Sequence, residues 1–179
     1  DSCDVVLLAS PPHFRPEHLA YAVEKGKHVF CEKPVAVDAS GLRSVIESSK
    51  KAAEKKLSLV SGLCWRYHPA VKAAFEEVLS GRIGDVVAAR CSYLTRVLDW
   101  YPRKENWSDL EFQLRDWQYF TWLSGDHIAE QHIHSIDKAL WALGDKHPIS
   151  ATGVGGRELR GPEQGDVYDH FAIEFEFED

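Results

Sequence analysis

Lys33 stands at the end of a short apolar run, Val29-Phe30-Cys31, within the stretch GKHVFCEKPVAV (residues 26–37). Charged side chains are rarely buried without partners, so a strand that ends on Glu32-Lys33-Pro34 calls for a reason. In open α/β sheets ligands bind beyond the carboxyl ends of the strands. Pro34 lacks an N–H and ends the ladder, which holds the lysine at that end. There Lys33 could hydrogen-bond a substrate hydroxyl and a cofactor together, with Glu32 as the neighbour that holds it. The other reading is a strand-terminal ion pair.

A second set of reactive side chains lies on one predicted helix, in GDHIAEQHIHSIDKALWALG. Residues three and four apart share a helix face, so Glu130, His134, Asp137 and Trp141 form one stripe with His127 beside it. Ile133, Ile136, Leu140 and Leu143 form a separate apolar stripe, expected to dock on a sheet. A carboxylate one turn before a histidine suits an acid/base pair: it orients the imidazole and tunes it toward neutrality, where proton transfer works best. Taken alone, the stripe also reads as a solvated face with histidines on it. A metal held by His132, His134 and Asp137 or Glu130 is disfavoured, because His132 projects from a different face than His134. A third cluster, CWRYHPAV (residues 64–71), places Trp65 and Arg66, a flat apolar surface and a cation, at another strand end. A core aromatic with a surface arginine is the alternative there.

The elements that must position these groups follow from periodicity. Val5–Ala9 is a continuous apolar run, as expected for a parallel strand covered on both faces. A helix is predicted from Glu17 to Glu24 with Gly26 as its stop, a strand over Val29–Cys31, and a helix from about Gly41 to Lys56. That second helix is capped by Asp38 or Ser40 and has Leu42, Val45, Ile46 and Ala53 at helical spacing. Leu57–Val60 is a third strand. Strand, helix, strand, helix, strand at short intervals argues for right-handed βαβ units. No Gly-rich GxGxxG turn follows a first strand, and Gly153-Val154-Gly155-Gly156 has the wrong spacing for a phosphate loop. Beyond Gly62 the pattern changes. A helix is predicted over Pro69–Leu79 and a strand over Asp85–Leu94. Val97–Asp116 is a long irregular segment, of the kind that is usually functional. The histidine-bearing helix spans Asp126–Leu143. Tyr168–Phe177 alternates as a half-buried antiparallel strand with Phe171, Ile173, Phe175 and Phe177 inward.

Composition narrows the classes. The 179 residues are 44% hydrophobic and 27% charged with a formal charge of −7, which is globular composition with no clustered basic surface for nucleic acid. Cys3, Cys31, Cys64 and Cys91 form no CxxC pair and read as reduced thiols in apolar strands. No apolar stretch reaches membrane-spanning length, and a cytoplasmic location is the expectation.

Taken in order, Glu32-Lys33-Pro34, WRYHPAV and EQHIHSIDKALWALG resemble the glucose–fructose oxidoreductase / inositol dehydrogenase / rhizopine-catabolism (Gfo/Idh/MocA) oxidoreductases. The resemblance runs along essentially the whole chain. It implies α/β plus α+β architecture: the second half of a Rossmann doubly wound sheet in residues 1–62, then part of a C-terminal α+β domain with a mostly antiparallel sheet in residues 63–179. By the same resemblance the chain begins near the fourth Rossmann strand, so the glycine-rich turn lies before residue 1. It implies NAD or NADP as cofactor, a carbohydrate-like substrate and a homo-oligomer. It casts Lys33 as the catalytic lysine and His134 as the acid/base. Glu130 stands where the family usually has Asp. Ser10, Pro11, Glu32, Lys33, Trp65 and Arg66 would approach the nicotinamide end of the cofactor. Arg15 stands where many members have His and is left unassigned. DWQYFTWLSGDHIAEQHIHSID and GGRELRGPEQGDVYDHFAIEF resemble a subgroup of predicted dehydrogenases, in which Trp117, Tyr119 and Arg157 could line the substrate site. Aromatic faces and arginine forks suit sugars.

Overall fold

Three parallel strands and two crossover helices open the fold of this computed structural model, which describes residues 2–178. Strands β1 (Val5–Leu8), β2 (His28–Cys31) and β3 (Leu59–Ser61) lie in the order β1-β2-β3. Val5 pairs with His28 and Leu8 with Cys31; Val29 pairs with Leu59 and Cys31 with Ser61. Parallel neighbours need long crossovers, supplied here by α1 (Arg15–Glu24) and α2 (Ala39–Glu54). Gly26, at φ +70°, closes the turn after α1. Asp38 caps α2, its Oδ1 accepting from the Gly41 N–H at 2.6 Å, so a short side chain satisfies an otherwise orphaned donor. The core of this unit is Leu8, Leu19, Ala22, Val23, Val29, Cys31 and Ala52.

Two expectations fail in this unit. Val5 and Leu7 are 54% and 72% exposed, because their face of the sheet, which also carries Val60, has no layer over it among the described residues. On α2 the apolar stripe does not carry the burial. Leu42 and Ile46 are exposed, while Ser48 and Ala52 are the buried residues, small side chains that let α2 lie close against α1.

Beyond β3 a tight turn over Cys64–Tyr67 leads into α3 (Pro69–Leu79). The predicted strand over residues 85–94 forms no ladder among the described residues. Alternation alone does not make a strand; it needs a partner edge. The segment expected to be irregular contains a helix instead, α4 (Asp109–Arg115). The Ser108 hydroxyl accepts from the Glu111 N–H at 3.1 Å to cap it, and Arg115 pairs with Glu111 one turn back. Next come α5 (Thr121–Ser124), a π-helical turn over Ile128–His132, and α6 (Ile133–Ala142).

The chain finishes on an antiparallel ribbon of β4 (Ser150–Gly156) and β5 (His170–Glu176), paired from Ser150↔Glu176 to Gly156↔His170. The Gly153–Gly156 stretch is thus strand. Gly155 faces Phe171, and a Cβ on it would fall 2.6 Å from the Phe171 ring, so glycine makes room for the aromatic. Of the side chains expected inward, Ile173 and Phe175 are exposed, with no second layer over them among the described residues. Cys3, Cys64 and Cys91 are exposed free thiols, and only Cys31 sits in a strand. No helix among the described residues is long and apolar enough to cross a membrane.

Candidate active site

Lys33 leaves the end of β2 and its ammonium meets the helical region. Its Nζ donates to Glu130 Oε1 at 2.6 Å and also to the Glu130 main-chain carbonyl. Both side chains are largely shielded, at 14% and 8% exposure. Behind the lysine, the Glu32 carboxylate folds back to accept from the Lys33 N–H at 3.1 Å. It fits there because residue 62 is glycine: a Cβ at Gly62 would collide with the Glu32 carboxylate. An ammonium has three donors, and Glu130 takes two of them. The Glu130 Oε2 in turn accepts from the Gln131 side-chain amide.

His134 lies one turn past Glu130. Among the described residues neither ring nitrogen makes a hydrogen bond within the protein, and the ring stacks at 6.5 Å on Tyr93. Burial, then the charge of Lys33, hold its pKa below the ordinary histidine value, only partly countered by Glu130. The imidazole is therefore neutral near pH 7 and able to take a proton. The carboxylate expected to orient this imidazole instead holds the lysine, since both Glu130 oxygens have other partners.

The helix that carries these groups is not α-helical throughout. One π turn over Ile128–His132 places residues five apart side by side. Thus His127 Nδ1 lies 3.3 Å from His132 Nε2, whereas an unbroken α-helix would set the two well apart. The expected stripe, with His127 beside Glu130, did not foresee this contact. Both rings are held below their usual pKa, chiefly by burial. The described residues contain no group of three or more His, Cys, Asp or Glu able to hold a metal ion.

Arg66 reaches from the turn after β3 to α6. Its Nε donates to Asp137 Oδ1 at 2.8 Å, its Nη1 and Nη2 to Asp145 at 3.0 and 2.5 Å, and the guanidinium lies over the Trp141 ring. Its hydrogen bonds to Asp145 and then to Asp137 raise its pKa further still. Its charge is thus already matched. Trp65 is partly exposed, with the Lys138 ammonium 4.2 Å over its ring. Ser10 and Pro11 follow β1, and Ser10 Oγ lies 3.2 Å from His18 Nδ1.

Of the three residues expected at the substrate, Tyr119 and Arg157 make hydrogen bonds within the chain. The Tyr119 hydroxyl donates to the Leu98 carbonyl and the residue is buried. Arg157 gives its N–H groups to the Arg160, Gly161 and Gly165 carbonyls, pinning its own loop. Trp117 is partly buried in a short turn over Trp117–Tyr119. Arg15, left unassigned from the sequence, sends its donors to strand-end carbonyls. Two neighbours escaped sequence reasoning: Tyr93, which bonds Gln131 at 3.0 Å, and Gln131 itself, which had a local clue in its place next to Glu130.

Comparison with known proteins bears on the fold and the family. Residues 1–60 match the model of the oxidoreductase family with an NAD-binding Rossmann fold, GFO_IDH_MocA. An uncharacterized oxidoreductase of Streptococcus pneumoniae serotype 4 is 27% identical over 178 residues, 99% of this chain and 44% of its own length. The 2,7-anhydro-N-acetylneuraminate hydratase of Escherichia coli K12 is 26% identical over 175 residues, 97% of this chain and 42% of its own. The structure of levoglucosan dehydrogenase in complex with NADH and levoglucosan is similar with a TM-score of 0.77 and 25% identity, over 99% of this chain and 45% of that one. The chain spans under half the length of the relatives it matches. The family model thus lies on the parallel unit, and an oxidoreductase relative aligns along nearly the whole length of the chain.

Proposed function

We propose that the protein is an NAD(P)-dependent oxidoreductase acting on a ring hydroxyl of a sugar, cyclitol or glycoside. Residues 1–62 serve the cofactor and 63–179 the substrate. The observation that carries this reading is the meeting of Lys33 with Glu130 beside a neutral His134. Ser10, Pro11, Glu32 and Trp65 lie beyond parallel strands, where a nicotinamide end fits. Arg66 adds shape there rather than free charge, since two carboxylates already match it. The bound nicotinamide supplies hydride acceptance or donation.

The protein's own part is alignment and proton control. The remaining Lys33 N–H donates to the reacting oxygen and stabilises negative charge that builds there. His134 takes the hydroxyl proton as the carbinol C–H bond breaks and the carbonyl forms. Glu130 keeps the ammonium in place from two sides, through its side chain and its main chain. The uncovered face of the β4–β5 ribbon is the surface through which we propose a homo-oligomer forms.

The hydratase relative favours a second reading. A tightly held nicotinamide would withdraw hydride and return it, and the carbonyl present in between would make the neighbouring C–H acidic enough for elimination or hydration. Incubation of the full-length protein with NAD and levoglucosan, myo-inositol or 2,7-anhydro-N-acetylneuraminate separates the two. Accumulating NADH supports the dehydrogenase. Bond cleavage or hydration without net NADH supports the second reading. Failure to bind NADH at all overturns both.

A further inference from the structure

Arg15 is 3% exposed, yet forms no ion pair with a carboxylate among the described residues. Its Nε donates to the Ser10 carbonyl at 2.8 Å, and its Nη1 donates to the Glu32 and Pro34 carbonyls at 2.9 and 2.7 Å. All three acceptors lie past the strand ends, where no ladder neighbour takes them. The residue also opens α1, and a cation at a helix N-terminus opposes the macrodipole. Burying a guanidinium away from any ion-pair partner is costly, so an apolar side chain would be the cheaper core residue. What the arginine provides is geometry. A planar fork bonds several acceptors at fixed angles, which an ammonium on a flexible stem cannot do.

Two of those acceptors, Glu32 and Pro34, flank Lys33 on either side. The charge of Arg15 is also in range of both Glu32 and Glu130. We propose that Arg15 is a positioning residue: it clips the end of β1 to the turn around Lys33 and thereby fixes the point from which the Lys33 ammonium reaches Glu130. This rests on the catalytic reading of Lys33 given above.

The test uses the full-length protein with Arg15→Met, Arg15→Lys, Lys33→Met and the Arg15→Met/Lys33→Met double variant. Misplacement of a reacting group by an ångström costs about 10²-fold. Arg15→Met is therefore expected to lower kcat about 10- to 100-fold per folded molecule, with KM within about threefold, and Arg15→Lys to recover part of the loss. A residue that acts through Lys33 adds nothing once Lys33 is gone, so the double variant should match Lys33→Met. Unchanged kcat in folded Arg15→Met, or losses that multiply in the double variant, overturn the inference.

Amide hydrogen exchange reads the same placement without any substrate. In Arg15→Met the amides of Glu32 and Lys33 are expected to exchange at least about tenfold faster while those of α2 hold. No change at these amides, or an equal rise throughout, overturns the inference. If Arg15→Met does not fold, Arg15→Lys carries both measurements with the same signs and smaller sizes. Wild-type turnover in Lys33→Met would instead sink the catalytic reading, and exchange alone would then decide the placement of the turn.

Discussion

The parallel unit of residues 5–61 and the segment that follows it are stabilised in different ways. The first closes a core of seven buried apolar or small side chains around three strands. In the second only Tyr119, Leu123 and Val167 are buried hydrophobics among the described residues, and its order rests on polar fixings. The Arg66 fork on Asp137 and Asp145, the Arg157 bonds to its own loop, and the Asp126 carboxylate on the Tyr168 N–H are examples. Apolar burial tolerates small shifts, whereas hydrogen bonds fix direction. A site that needs a proton handled at a defined atom gains from the second kind, and Glu130 and His134 both lie in that segment. Lys33 belongs to the first unit and reaches across.

The comparison can be broken or sharpened by substitution. The largest effect is expected at the junction. On the proposed function, His134→Ala and Lys33→Ala in the full-length protein should each lower turnover about 10²–10⁴-fold, the scale for positioned acid/base groups. Wild-type rates in both, measured by NADH formation, would remove the site from the account. Next comes the core of the parallel unit. Leu19, fully buried, should cost about 3 kcal/mol on replacement by alanine, read from denaturant midpoints. A loss under about 1 kcal/mol would show that the first unit does not depend on its core.

Acid should act mainly on the second segment. His127, His132 and His134 all have folded pKa values below the ordinary 6.5. The unfolded chain then binds protons first as pH falls. Stability is therefore full above about pH 6.5 and is lost below it, until the folded rings protonate too. Thermal unfolding from pH 7.5 down to about 5 should show this fall, and a His127→Gln/His132→Gln variant should flatten it. Catalysis should lose rate on the acid side with a pKa below 6.5, because only neutral His134 accepts the proton. The smallest effect belongs to the ribbon. Ile173→Ala should cost about 1 kcal/mol or less, since the side chain is already exposed. A loss equal to that of Leu19→Ala would mean that the ribbon face is covered in the whole protein.

How much of this was legible depended on how local each cause is. The βαβ run of the first unit could be read because Val29–Cys31, Leu19 and Val23 follow simple periods, and Asp38 announces its helix. Lys33 and Glu130 each stood out by type, but their bond joins residues 97 apart, and no local pattern encodes that. The π turn was hidden, because one extra residue in a long amphipathic run barely disturbs its apparent period. Residues 85–94 alternate correctly and still form no strand, since pairing is a property of neighbours rather than of the segment. The helix at Asp109–Arg115 was missed although Ser108 and Glu111 have capping-box spacing; the surrounding aromatics masked a readable start.

The grip of Arg66 on Asp137 and Asp145 has a consequence for how such a site can diversify. A guanidinium stays charged across the whole working range of pH, so the frame that presents the histidine does not follow the histidine's own protonation. Side chains near the reacting oxygen can then be exchanged, and the proton affinity of the ring retuned, while the bearing of α6 on the parallel sheet stays as it was.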